Sequence, residues 1–434
     1  MMKPVISLLA VCLIQPFVCG DDWPHWMGPQ RNNVWTEKGI LKKFPTAGPK
    51  ILWRSPLAGG YSGPSVANGK VFVTDYTTAD NVKIANFERK EFSGVETVRC
   101  LSEKDGKEIW KYQYPVKYTI SYPAGPRCTP VFENGKLYTL GAEGDLYRFD
   151  VASGKADWHK SLTREYATKA ALWGYAAHPL IDGDKLITLA GGKGSHVVAL
   201  DKNSGREIWK SQTAPEQGYS PPTIFTFGKT RILVLLKPNA VDGVNPETGE
   251  SYWSVPYTAS SNSIIMSPIR MDDFIYAAGY SGRSLLLKAS ADGRQVEEIW
   301  RNKKTAISPV NVQPFLQGNV LYGFTDNGPL CAFNLPDGER LWQTTDAIDG
   351  KRAQGSATAF IVKNDDRFIL FNERGELIFA NLGENGYEEI DRAQVIKPSN
   401  NAFGRKVVWS APAFANRHAY IRNDEEIICV DLSE

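Results

Sequence analysis

The residues best suited to bind another molecule are tyrosines in three short Gly-Tyr motifs and their neighbours. The motifs Gly60-Tyr61-Ser62, Gly174-Tyr175-Ala176 and Gly218-Tyr219-Ser220 each stand shortly before a proline. Tyr, Trp and Arg are the residue types that most often dominate binding energy at interfaces. We therefore predict a partner-binding or ligand-binding site that includes Tyr61, Tyr122, Arg127, Trp173, Tyr175, His178 and Tyr219.

Catalytic and metal-binding motifs are missing from the sequence. It contains no Gly-x-Ser-x-Gly elbow, no P-loop, no His-Glu-x-x-His and no EF-hand loop. Gly192-Lys193-Gly194 is interpreted as a turn, and five histidines are few for a histidine-built metal centre. The net charge of +2 argues against a nucleic-acid partner, because phosphate binding needs clustered Lys and Arg. We predict no catalytic residue and no metal site.

An internal repeat must position the Gly-Tyr motifs. Its clearest copy runs from Val197 to Trp209, where a glycine is followed four residues later by tryptophan. The tryptophans from Trp110 to Trp342 span 232 residues in five intervals, or about 46 residues per repeat. That length fits four short strands with their turns, which is one blade of a β-propeller. Asn-Gly and Asp-Gly pairs such as Asn68-Gly69 predict the tight hairpins between the strands.

The number of repeats predicts an all-β, eight-bladed β-propeller of four-stranded blades. Eight strand openings precede the blades, at Pro64, Pro130, Pro179, Pro222, Pro268, Pro314, Thr358 and Pro412. The last repeat lacks its Trp-bearing strand, and Ile51 to Arg54 has the shape of the missing strand. We predict that this N-terminal strand completes the C-terminal blade and closes the ring. The domains are then a Trp-rich extension at 21–50 and a single propeller at 51–434, behind a signal peptide at 1–20.

The repeated tryptophans are predicted to dock each blade onto its neighbour, with the indole N–H donating to a backbone carbonyl. The alternative is that they stack on a flat cofactor. The predicted docking residues are Trp53, Gly106, Trp110, Gly154, Trp158, Gly205, Trp209, Gly249, Trp253, Trp300, Gly338 and Trp342. In a propeller the Gly-Tyr motifs then fall on loops that line one mouth of the central channel. Alternatively, these motifs only pack the channel wall, and His178 is a hydrogen-bonded wall residue.

The repeat Ala199-Leu200-Asp201-x-x-x-Gly205-x-x-x-Trp209 resembles the tryptophan-docking repeat of pyrroloquinoline-quinone-type propellers. The resemblance covers about residues 51–434. That superfamily includes quinoprotein alcohol dehydrogenases and cofactor-free propellers, such as the BamB-like subunit of the outer-membrane barrel-assembly machinery. The segments Trp23 to Pro29 and Gly48 to Trp53 also resemble secreted propeller-repeat proteins of environmental bacteria.

The resemblance implies two different functions. In the dehydrogenases, the quinone lies between a tryptophan and a disulfide of adjacent cysteines, beside calcium. This chain has no adjacent cysteine pair and no Cys-x-x-Cys-His haem motif. We therefore expect no cofactor and a non-catalytic scaffold that binds a protein, polysaccharide or other cell-envelope partner. The alternative is a divergent alcohol or sugar dehydrogenase that uses pyrroloquinoline quinone with calcium, and a third possibility is a polymer-degrading enzyme with carboxylates in the channel.

The N-terminal residues predict a periplasmic or secreted protein. Lys3 precedes a mostly apolar run from Val5 to Val18, and cleavage is predicted after Gly20. An uncleaved anchor and a lipoprotein modified at Cys19 are the alternatives. Beyond the leader, Cys100, Cys128, Cys331 and Cys429 lie far apart in the sequence. We interpret these four cysteines as buried small hydrophobic residues, although an oxidising compartment would permit disulfides.

Two segments depart from the repeat. Blade 1 carries an insertion from Thr77 to Thr97, which we expect to be a solvated protrusion, with a functional loop as the alternative. The Trp-rich stretch from Trp23 to Trp35 is predicted to pack on its own propeller, with docking of a partner as the alternative.

Overall fold

The computed structural model of the chain describes residues 21–82 and 87–434. The predicted signal peptide at 1–20 lies outside the described residues. Eight sheets of four or five strands follow one another along the chain and form a ring, so that the predicted eight-bladed β-propeller is confirmed. We number the blades from the N-terminus.

The first four blades each contain four consecutive strands, which run in order from the innermost strand outward. Blade 1 contains β3 (Ser65–Ala67), β4 (Lys70–Thr78), β5 (Phe92–Ser102) and β6 (Glu108–Tyr118). Blade 2 contains β7 (Val131–Glu133), β8 (Lys136–Leu140), β9 (Asp145–Asp150) and β10 (Ala156–Ser161). Blade 3 contains β11 (Leu180–Asp182), β12 (Lys185–Leu189), β13 (Val197–Asp201) and β14 (Glu207–Ser211). Blade 4 contains β15 (Thr223–Phe227), β16 (Thr230–Lys237), β17 (Ala240–Val244) and β18 (Ser251–Pro256).

The other four blades include the two N-terminal strands. Blade 5 contains β19 (Ile269–Met271), β20 (Phe274–Gly279), β21 (Arg283–Ala289) and β22 (Val296–Arg301). Blade 6 contains β23 (Phe315–Gln317), β24 (Val320–Phe324), β25 (Leu330–Asn334) and β26 (Glu339–Thr344). Blade 7 contains β1 (Val34–Trp35), β27 (Ala359–Asn364), β28 (Arg367–Asn372), β29 (Glu376–Gly383) and β30 (Gly386–Gln394). Blade 8 contains β33 (Ala413–Ala415), β34 (His418–Arg422), β35 (Glu426–Asp431) and β2 (Ile51–Pro56), and a hairpin of β31 (Asn400–Ala402) and β32 (Arg405–Val407) precedes it.

The ring closes as predicted, because the first long strand joins the last blade. Strand β2 pairs antiparallel with β35, and Ile51 lies opposite Val430 at one end while Pro56 lies opposite Glu426 at the other. Strand β1 is a feature that the sequence did not predict. It pairs in parallel with the inner edge of blade 7, where Val34 lies opposite Lys363, and two residues are too few to show a strand periodicity.

The N-terminal segment, residues 23–35, crosses the channel along the innermost strands. Trp23 exchanges two backbone hydrogen bonds with Val66 of blade 1, and the carbonyl of Pro24 accepts from the Phe132 N–H of blade 2. The Arg31 side chain donates to the Pro179 carbonyl at the entry to blade 3. Both Trp23 and Trp35 are at least 98% buried. The Trp-rich stretch therefore packs on its own propeller, as the sequence predicted.

Each repeated indole N–H donates to a backbone carbonyl of the next blade. Trp53 donates to Glu103 at 2.8 Å, and Trp110 donates to Val151 at 2.8 Å. The same interaction joins Trp158 to Lys202, Trp209 to Pro246, Trp253 to Gly293, Trp300 to Pro336 and Trp342 to Gly383. The recurring spacing of glycine and tryptophan has a simple geometric reason. The glycine of one blade lies under the indole of the preceding blade, as Gly106 lies under Trp53.

Gly106→Ala is expected to destabilise the fold by about 2–4 kcal/mol. Gly106 has a φ of +70°, and an added Cβ would lie 2.5 Å from the Trp53 ring, so that backbone strain and overpacking both act. Gly69→Ala is the matched control, because its φ of +73° is similar but its Cβ would meet nothing within 4 Å. We expect a loss of about 1–2 kcal/mol there. Denaturant unfolding measures both values, and equal losses would contradict the predicted contact with Trp53.

The four cysteines of the described chain are free and buried, in agreement with their interpretation as small hydrophobic residues. Burial raises the pKa of the Cys331 thiol to about 11 and that of Cys100 to about 12, so both remain protonated at neutral pH. The described residues form two short helical turns, α1 (Leu162–Glu165) and a 3-10 turn (Ser260–Asn262). No helix in residues 21–82 and 87–434 has the length and apolar character needed to cross a membrane.

Candidate functional site

The loops that lead into the innermost strands surround a cavity of about 230 Å³ at one mouth of the channel. We call this cavity the aromatic cup. Each of the eight blade entries contributes at least one lining residue, namely Tyr61, Arg127, Trp173, Tyr219, Ser263, Asn311, Ser356 and Trp409. Further aromatic side chains complete the wall, namely Trp26, Phe87, Tyr122, His178, Tyr280, Phe360 and Phe403.

The structure brings most of the predicted site residues together. Tyr61, Tyr122, Arg127, Trp173, His178 and Tyr219 all line the cup. Tyr175 lies apart from it: its side chain is 99% buried and its hydroxyl donates to the Ala190 carbonyl at 3.2 Å. Tyr175 of the Gly174-Tyr175 motif therefore has a packing role, which is the alternative to ligand binding that the sequence left open.

Arg127 organises the rim of the cup. Its Nε donates to the Trp173 carbonyl at 2.8 Å, and its Nη2 donates to the carbonyls of Ser121 at 3.0 Å and Tyr122 at 2.6 Å. Its Nη1 donates to Gly125, and the guanidinium lies 5.1 Å from the centre of the Tyr61 ring. Because all three nitrogens bind backbone carbonyls, Arg127 fixes the aromatic loops in place.

Arg127→Met is expected to loosen the cup and to cost about 2–4 kcal/mol, because it leaves several partly buried carbonyls without a donor. Near-ultraviolet circular dichroism would report the lost order of the aromatic rings, and denaturant unfolding would report the stability. Arg164→Met is the control, since Arg164 is exposed on α1 and should change stability by no more than about 0.5 kcal/mol. An unchanged aromatic spectrum in Arg127→Met would contradict this role.

The floor of the cup is a stacked pair of rings from distant parts of the chain. Trp26 of the N-terminal segment stacks on His178, with ring centroids 4.5 Å apart and an interplanar angle of 14°. Burial, with a contribution from the nearby Arg31 charge, lowers the pKa of His178 to about 3. The imidazole is therefore neutral at physiological pH, and its Nδ1 is buried without a hydrogen-bond partner in the described structure.

Two phenylalanines stand at the open rim. Phe403 lies in the turn of the β31–β32 hairpin, and Phe87 lies in the insertion of blade 1. At 53% and 55% exposure, they are the most exposed large hydrophobic side chains among the described residues. Below the rim, Trp409 contacts Phe403 and Tyr122, with ring centroids about 6 Å apart in both pairs.

The described tip of the insertion, residues 79–82 and 87–91, is exposed, as expected for a solvated protrusion. It also contacts the loops around the cup. Strands β4 and β5 extend into it, and Arg89 donates to the carbonyls of Thr119 at 2.9 Å and Ala170 at 3.0 Å. Phe87 contacts the Trp173 ring at a centroid distance of 5.7 Å. These contacts tie the end of the insertion to the loops around the cup.

Several cup residues were missed by sequence reasoning, although some carried a signal. Gly279-Tyr280-Ser281 repeats the Gly-Tyr-Ser motif, and Trp409 stands three residues before the opening Pro412, as Tyr61 stands three before Pro64. Trp26 carried no such signal. It reaches the cup because the N-terminal segment crosses the channel, which only the folded ring can show.

The cup does not fit pyrroloquinoline quinone with calcium. Among its described lining residues there is no Asp or Glu, and the charged side chain is Arg127. Calcium takes about six to eight oxygen ligands, chiefly carboxylates, whereas the side-chain oxygens of the lining residues belong to hydroxyls and to the amide of Asn311. Residues 21–82 and 87–434 likewise contain no cluster of three metal-ligating His, Cys, Asp or Glu side chains. The carboxylates that the polymer-degrading alternative needs are likewise missing from the described lining residues of the cup.

Comparison with known proteins gives the family. The family model described as outer membrane protein assembly factor BamB matches residues 94–344 and 289–434, which together cover most of the chain. The chain belongs to the BamB family. A BamB-family relative, the outer membrane protein assembly factor BamB of Shewanella oneidensis, is 20% identical over 260 residues. The match covers 58% of this chain, and the chain spans about 65% of the length of that relative.

Solved structures show the same architecture as this BamB-family chain. BamB from Moraxella catarrhalis superimposes with a TM-score of 0.54 at 17% identity, covering 82% of this chain and 98% of that one. Quinohemoprotein alcohol dehydrogenase from Comamonas testosteroni superimposes with a TM-score of 0.60 at 12% identity, covering 95% and 81%. At these identities the likeness is one of fold, which BamB-type and quinoprotein propellers share.

Proposed function

We propose that this chain is a non-catalytic propeller of the cell envelope, periplasmic or secreted, that binds a protein partner at the aromatic cup. The observation that carries the proposal is the cup itself, where the entries of all eight blades line one cavity whose wall is mostly aromatic and has no lining carboxylate among the described residues. Membership in the BamB family supports a role in outer-membrane protein assembly. The leader-like residues 1–20 support the location.

The chemistry of the cup favours a protein over the polysaccharide alternative. Sugar rings stack on aromatic side chains but also carry many hydroxyls, which lose hydrogen bonds to water on binding and need replacements. The cup offers few polar groups in return: the Arg127 nitrogens are bound to carbonyls, and the other polar lining residues are mainly single hydroxyls such as those of Thr129, Ser263 and Ser356. Aromatic and apolar side chains of a protein can instead pack against these walls without needing such hydrogen bonds.

Photo-crosslinking in the bacterium that encodes the chain tests the proposal. A benzophenone amino acid replaces Phe403 at the rim of the cup, and the adduct is identified by mass spectrometry after irradiation. We expect an adduct with an outer-membrane protein or a component of its assembly machinery, and we expect Trp409→Ala to reduce it at least about tenfold by removing the cup wall.

The matched control places the same amino acid at Ile208, which is 45% exposed on the outer strand β14, away from the cup. An adduct at Ile208 but not at Phe403 would overturn the proposed binding face. An adduct at Phe403 that contains polysaccharide instead of protein would assign the cup to the polymer alternative.

A further inference from the structure

We propose that the aromatic cup is a blind pocket for one uncharged aromatic side chain of the partner, and that Trp26 sets its depth. The inference rests on the proposed function and deepens it, because it names the group that the cup accepts and the residue that limits its size. Three observations support it: the floor, the volume and the charge of the cavity.

The N-terminal segment divides the channel into separate cavities. Trp26 lines both the cup and a smaller cavity of about 30 Å³ beneath it. The next residue, Met27, lines that small cavity and a third one of about 620 Å³ further along the channel. Backbone hydrogen bonds to blades 1, 2 and 7 hold the segment on both sides of these residues. A ligand that enters at the cup therefore stops at the Trp26–His178 pair.

The volume of the cup fits one side chain. Pockets for drug-sized ligands usually enclose about 300–1,000 Å³, whereas the cup encloses about 230 Å³. Trp173, Tyr219 and Trp409 line the space, and such rings favour offset or edge-to-face contacts with another aromatic ring. A folded peptide segment is too large for this space, so the partner's backbone must stay at the rim beside Phe87 and Phe403.

The charge of the cup selects a neutral ring. Aromatic faces alone would also attract a cation, but the Arg127 charge lies in the wall and no described carboxylate lines the cup to balance a second cation. A carboxylate gains little from Arg127, because that guanidinium already donates to four carbonyls.

Titration of the full mature chain with short peptides tests the specificity. The probes are acetyl-Gly-Ser-X-Ser-Gly-amide peptides in which X is Trp, Tyr, Phe, Leu, Arg or Ala, and binding is measured by calorimetry and saturation-transfer NMR. We expect Trp, Tyr and Phe to bind at least about tenfold more tightly than Ala or Arg. Preference for Arg would overturn the inference about charge, and equal binding of all six peptides would overturn the aromatic specificity.

A second series tests the floor. A peptide carrying 2-naphthylalanine is expected to bind the wild type at least about fivefold more weakly than the Trp peptide, and Trp26→Ala is expected to reverse that order by joining the cup to the cavity beneath it. Trp26→Phe is the intermediate variant, because its smaller ring still covers His178. It should keep the preference for the Trp peptide but narrow the difference between the two peptides.

The outcomes separate this inference from the proposed function. If the Trp peptide binds the wild type but Trp26→Ala keeps the wild-type order, the floor does not set the depth, while the proposed binding face stands. If none of the peptides binds and the Phe403 crosslink to protein is also lost, the proposed function itself fails. Melting curves of both variants establish whether each is folded. If Trp26→Ala does not fold, Trp26→Phe tests the floor instead, because its smaller ring should let naphthylalanine bind more tightly than it binds the wild type.

Discussion

Deletion of residues 21–54 is expected to abolish the folded propeller. The deletion removes most of β2, which is the outer strand of blade 8 and pairs with β35. Ile427, Ile428, Cys429 and Val430 of β35 are fully buried, and the deletion would expose them along an unpaired edge. It also removes Trp53, which docks blade 8 onto blade 1. An exposed apolar edge strand promotes aggregation, so we expect insoluble protein or a product without a cooperative melting transition.

A shorter deletion provides the control for ring closure. Removal of residues 21–32 takes away the floor of the cup but keeps both β1 and β2, so the ring can still close. We expect this variant to remain soluble and to melt cooperatively at a lower temperature, because it loses the contacts of the buried Trp23. Soluble protein with an unchanged melting temperature after deletion of 21–54 would contradict the role of β2 in closing the ring.

Trp110→Ala is expected to destabilise the propeller by about 3–5 kcal/mol, as for other large aromatic side chains removed from a packed site. The indole of Trp110 donates to the Val151 carbonyl at 2.8 Å, lies against Gly154 and contacts the Phe149 ring of blade 2. Its removal leaves a cavity between blades 1 and 2 and an unpaired carbonyl. Denaturant unfolding followed by circular dichroism would measure the loss.

The neighbouring residue is the control for this substitution. Ile109 precedes Trp110 on the same strand but points to solvent, with 50% of its surface exposed. We expect Ile109→Ala to change the free energy of unfolding by no more than about 0.5 kcal/mol. Similar losses for Ile109→Ala and Trp110→Ala would show that the strand, and not the indole contact, carries the effect.

The fold could be predicted because each blade repeats the same local rules. Turns such as Asn68-Gly69 need positive φ at both residues, with φ of 51° and 73° in this turn, and this requirement is visible in the sequence. The regular spacing of Gly106 and Trp110 likewise marks one contact between neighbouring blades. No local sequence pattern predicts strand β1, because its two residues form a strand only by pairing with the free edge of β27.

The cup was predictable only in part. Tyr61, Trp173 and Tyr219 could be placed at one mouth of the channel because the repeat puts their loops at equivalent positions. The depth and charge of the cavity could not be predicted, since they depend on Trp26 and on which side chains meet across the ring. The interpretation of Arg127 also needed the structure, because only its four carbonyl acceptors show that it holds the loops.

The sequence by itself determined the number of blades, the closure of the ring by Trp53 and its strand, and the family of the chain. These properties follow from short-range spacing and turn chemistry that every repeat shows again. Only the tertiary structure decided that Trp26 closes the channel beneath His178, a residue far from it in the sequence, and that Tyr175 lies outside the cup. The physical reason is that the channel is built from single residues of all eight blades, and their meeting depends on the geometry of the whole ring.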